Sequence, residues 1–173
     1  ADEGAGGEDV MSALVEYFDN LVAHLAAAED GLLAEIEAKH VLLATGADDE
    51  DQVNAIDAHV KRAVMRTKGL GIVIFGESGT NQTADGFDEE INALITFEVR
   101  LFIHPQKWGT KYDPTKRKAR EILEDLMKRL NGAELAPMTH GCRHATMVEA
   151  WAPVPDPEAW AWNITCNRVL PIY

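Results

Sequence analysis

His140, Cys142 and His144 are the residues of this 173-residue chain whose types suit a metal, because zinc accepts imidazole nitrogen and thiolate sulfur. Spaced two apart, they would share one face of a strand. A structural zinc site needs a fourth ligand, and no C-x-x-C or second H-x-x-x-H pair supplies it. The alternative is a turn before a strand, with Cys142 packed as a small hydrophobe. Cys142 as a nucleophile beside a histidine base would need an orienting partner and an oxyanion hole, and the sequence shows neither. A disulfide between Cys142 and Cys166 is disfavoured for a protein made in a reducing cytoplasm. The run Asp48-Asp49-Glu50-Asp51 lacks the spacing and the distant glutamate of a calcium loop, and reads as a capped, solvated helix start. Gly76-Glu77-Ser78-Gly79-Thr80 follows a strand as a phosphate loop would, but lacks the lysine that reaches the phosphates. These residues predict neither an enzyme nor a cofactor.

Charge carries a second signal. Residues 1–60 hold fifteen acids and one base, so −14 of the net −13 lies there and the remainder carries +1. An acidic half repels phosphates, which disfavours nucleic acid as a partner of the whole molecule. Against it stands a basic patch of Lys107, Lys111, Lys116, Arg117, Lys118 and Arg120, opposed only by Asp113. Three of these bases fall near a predicted helix start, where the macrodipole disfavours cations. That placement suggests a use, such as meeting acidic helices of a neighbouring copy or DNA passing nearby; the bland alternative is a solvated helix face. Trp108 and Tyr112 lie on the same predicted loop, and Glu77 and Asp85 on the earlier one. These ten residues are the candidate subunit or partner interface, since loop aromatics often anchor contacts.

The elements that must position them follow from periodicity. Val10, Leu14, Tyr17, Phe18, Leu21 and Leu25 recur at helical spacing. Leu32, Leu33, Ile36, His40 and Leu43 resume such a stripe, predicting one bent helix or two short ones ending near Gly46. Asp49 and Gln52 form a capping-box pair that opens a third helix through Val64. Leu70 to Phe75 predicts a buried strand, and Gly76 to Asp88 a polar loop. Ile95, Phe97, Val99, Leu101 and Ile103 alternate with polar residues, which predicts a half-buried strand. Asp113-Pro114 opens an amphipathic helix that ends at Asn131-Gly132. Residues 143–152 and 159–170 complete the chain as two strands, with Trp160, Trp162, Ile164 and Cys166 on one face. The expected fold is α+β: a mainly antiparallel sheet of about four strands with an amphipathic helix on one face, plus a helical N-terminal extension. Residues 1–68 form the helical region of a single domain, and 69–173 its sheet-plus-helix core. No apolar run approaches the ~20 residues of a membrane span. Ala1-Asp2-Glu3-Gly4 reads as an ordinary start, with neither the basic nor the apolar region of a secretory signal.

This order resembles the tail-terminator, or tail-completion, proteins of long-tailed bacteriophages. The resemblance covers residues 70–170. It rests on element order, on the strand Ala93–His104 with its Glu98 and Arg100, and on Trp160-Ala-Trp-Asn-Ile-Thr165 in the last strand. It implies a structural virion protein at the tail–neck junction, made in the host bacterial cytoplasm. Such proteins form a hexameric ring that ends tail-tube polymerisation and joins the tail to the neck. The implied partners are further copies of the chain, the tail-tube protein and a neck or head-completion protein. DNA would pass only through the lumen, with no membrane and no cofactor involved. Another neck, tube or baseplate protein is the alternative within that class; a small-molecule binding module or an enzyme is the alternative outside it.

Overall fold

The computed structural model describes residues 13–27, 36–44, 58, 69–82, 91–105, 117–135 and 145–172. Helix α1 (Ala13–Ala26) is followed by a 3-10 turn (Ala38–His40) and strand β1 (Val41–Leu43). Strands β2 (Leu70–Gln82) and β3 (Ile91–Ile103), helix α2 (Arg117–Leu130) and strands β4 (Met147–Val154) and β5 (Trp160–Ile172) complete the order. The strands form one five-stranded sheet in the order β1-β2-β3-β5-β4. Its β1–β2 pair is parallel and the rest antiparallel, so the sheet is mixed within an α+β fold.

Strand period 2 explains which face is dry. Ile72, Ile74, Ile95, Phe97, Val99, Leu101, Trp162, Ile164 and Cys166 share one face and are buried against both helices. Helix α1 contributes Tyr17, Phe18, Leu21 and Leu25; α2 contributes Ala119, Ile122, Leu123, Leu126 and Leu130. Tyr17, Phe18 and Phe97 meet edge-to-face, with ring centroids 5.3 to 5.9 Å apart. Each such pair adds about 0.5–1.5 kcal/mol beyond the area it buries. On the opposite face a smaller apolar island gathers Ala44, Val73, Phe75, Phe102, Ala159 and Ala161. Around it Arg100 lies 4.7 Å over the Phe75 ring and donates from Nε to Asn163 Oδ1 at 2.6 Å.

Three expectations change. The Leu32–Leu43 stripe is not a helix through its end: Ala38–His40 is a 3-10 turn and Val41–Leu43 a strand. The Glu37 N–H donates to His40 Nδ1, and β1 then takes its place beside Ile72–Ile74. Its three residues cannot show period 2, so pairing with β2 decided what local pattern could not. The predicted loop from Gly76 is strand as far as Gln82, carried past a register irregularity between Phe75 and Ser78. Gly76 supplies the positive φ of 68° which that bulge requires. Finally, the N-terminal region is more than an appendage, because α1 packs into the main core and β1 adds a parallel strand. The third predicted helix lies outside the described residues, apart from Ala58.

Candidate functional site

Of the ten candidate interface residues, Arg120 is exposed on α2, and Arg117 and Lys118 occupy the first turn of that helix. Glu77 sits half-buried in β2, where burial raises its carboxyl pKa. Lys107, Trp108, Lys111, Tyr112, Lys116 and Asp85 lie outside the described residues, as do His140, Cys142 and His144. The structure therefore places the described bases of the candidate interface, Arg117, Lys118 and Arg120, on α2 and Glu77 on a different element, β2. Cys166 is a free thiol on the dry face of β5, and burial pushes its pKa up to about 12. At that value it is a packed hydrophobe and not a nucleophile.

The sharper surface feature is β4. It is the last strand of the sheet and pairs only with β5. The Val148 N–H donates to Asn131 Oδ1 at 3.1 Å, and past that point the outer row of backbone groups is open among the described residues. Edge strands recruit other chains unless bulges, charges or proline blunt them. This one has a register irregularity between Val148 and Ala150 and a proline at 153, yet displays Met147 at 60% and Trp151 at 53% exposure. Trp151 pairs with Ile164, so it lies on the helix side of the sheet. There it lines an open groove of about 540 Å³ with Val148, Met127, Asn131 and the charged pair Glu124–Lys128. An aromatic anchor beside an open strand edge is what β-augmentation uses: backbone bonds give affinity and side-chain pockets give specificity. Sequence reasoning found the strand but not its exposure. Pro153 was the available signal, since proline within a sheet favours an edge.

Under β4's start lies a buried polar cluster that sequence reasoning also passed over. Arg168 is 2% exposed and falls on the dry face, in phase with Ile164 and Cys166. Its Nη1 donates to the Leu135 carbonyl, and its guanidinium stands 4.8 Å over the Tyr17 ring. Tyr17 and Thr146 share a hydroxyl–hydroxyl hydrogen bond of 2.6 Å. Burial lowers the Arg168 pKa and drives that of Tyr17 up to about 12. The cluster joins α1, β5 and the segment entering β4, which holds the edge strand in position. The period of the last strand, extended by two residues, would have placed Arg168 there. No known family model matches the chain, and no curated protein matches it.

Proposed function

We propose that this protein is a structural, ring-forming subunit of the tail-terminator type. It closes the head-proximal end of a tail tube and joins tail to neck. The observation that carries this is the eight-residue edge strand β4, presenting Trp151 and Met147 on a small α+β body whose helices pack on one face. A ring needs a heterologous surface that binds a different surface of the next copy. An open edge with an aromatic anchor supplies one half of such a contact. In this role the protein is not an enzyme and uses no cofactor; its partners are its own copies, the tail-tube protein and a neck protein, within the virion.

The test is light-scattering mass across a concentration series, with negative-stain imaging of the protein alone and mixed with tail tubes. Rings of about six subunits, or caps on tube ends, are the expected result. A chain that stays monomeric and leaves tubes bare would overturn the proposal.

A further inference from the structure

Among the described residues, a second open edge lies at the other end of the same sheet. Strand β1 covers β2 only from Ile72 to Ile74, whereas Ser78 to Gln82 pair with β3 alone among the described residues. We infer that the Gly76–Gln82 arm of β2 in one copy is the strand that pairs with the β4 edge of the next, with Trp151 lying over Gly79. This inference rests on the ring assembly proposed above and names the surfaces that would make it.

Strand direction favours this match. Neighbours β2, β3, β5 and β4 alternate in direction, and their number is even. Placing β4 beside the β2 of a copy rotated about an axis in the sheet plane and tilted to the strands therefore continues the antiparallel alternation. Height along the strands agrees as well. Through Asn167 and Thr96, Met147 stands level with Ser78; through Ala161 and Phe102, Val154 stands level with Gly71. The open arm lies higher, so pairing it with β4 offsets each copy by about four to five residues. A stagger of this kind is what closing a sheet into a barrel requires.

Side-chain phase then selects the register. Trp151 points to the helix side, and so does Gly79, whose partner Ile95 is buried there. Centring the two strands places Ala150 opposite Thr80, Trp151 opposite Gly79 and Ala152 opposite Ser78. Helix layers of adjacent copies then lie on the same side of a continuous sheet. A glycine under an indole leaves its strand accessible, and an aromatic covering a neighbouring glycine stabilises such an edge. The alternative that sets Trp151 opposite Glu77 would also put Glu149 opposite Gly79 and bring both carboxylates towards the indole. In the centred register Glu77 faces Pro153 and Glu149 faces Asn81, so no like charges oppose one another.

The test uses full-length protein in a Cys142→Ser background; Cys166 is buried and does not compete. One preparation carries Ala150→Cys and another Thr80→Cys. The expected result is a disulfide-linked dimer only when the two are mixed and oxidised, and a covalent ladder when both changes share one chain. Ala150→Cys with Ser78→Cys, two residues out of register, should cross-link far less. Trp151→Ala should shift the scattering mass towards monomer while leaving the monomer's circular dichroism unchanged. Rings seen by imaging without the mixed cross-link would overturn the strand pairing and leave ring assembly standing. Cross-linking of Ala150→Cys alone would assign β4 to a twofold dimer and overturn it equally. Neither rings nor cross-links, with or without tail tubes, would end both.

Discussion

Tyr17 shows how one residue ties the interior together. Its ring fills the core beside Phe18 and Phe97, and its hydroxyl meets Thr146 just before the edge strand. Tyr17→Phe keeps the ring but leaves the buried Thr146 hydroxyl without this partner, which should cost about 1–2 kcal/mol in urea unfolding. The same variant should change the alkaline limb of stability. Burial raises the folded tyrosine from 10.0 to about 12, so the folded state holds its proton longer than the unfolded chain. Stability is therefore complete below pH 10 and falls as pH rises towards 12, by about 2–3 kcal/mol for this group. Cys166, raised from 9.0 to about 12, acts with the same sign from pH 9 upward. Denaturation midpoints measured between pH 8 and pH 12, in roughly one-unit steps, should fall less steeply for Tyr17→Phe than for the parent.

Among the elements, the two helices hold each other's ends. The Arg129 guanidinium donates to the His24 carbonyl at 2.9 and 3.2 Å, adding to the 3.3 Å bond from the Ala27 N–H at the end of α1. His24 Nε2–H donates in return to the Arg129 carbonyl at 2.9 Å, in the last turn of α2. Arg129→Ala removes the charged donor, and thermal unfolding should show a loss of about 1.5–3 kcal/mol. The bulge in β2 offers a second check. An alanine at Gly76 would hold φ 68° with its Cβ 3.2 Å from Glu98 Oε2, so Gly76→Ala should destabilise by about 1–2 kcal/mol. A neutral outcome in the same assay would mean that the bulge relaxes without the left-handed residue.

At the scale of the whole molecule, the charge asymmetry gives the remaining prediction. Reversing Arg117 and Lys118 to glutamate, in the first turn of α2, should impair ring or tail formation if that basic turn meets an acidic surface of a neighbour. Scattering mass and imaging of the double variant provide the check, and normal rings would remove the basic turn from the interface. Circular dichroism should show little loss of α2, because acids near a helix N-terminus suit its dipole.

What the chain determined by itself was what long, regular periods set; the shorter Leu32–Leu43 stripe did not hold. The alternation of β3 and β5, the stripes of α1 and α2, and the dry face they share were legible because apolar spacing alone selects which side meets the core. Even Arg168 was in reach of that rule. Only tertiary structure decided that Val41–Leu43 is a parallel strand, that β2 continues past its glycines, and that β4 ends the sheet with Trp151 exposed. Strand pairing draws its stability from neighbours distant in sequence, and an edge is defined by the strand that does not follow it.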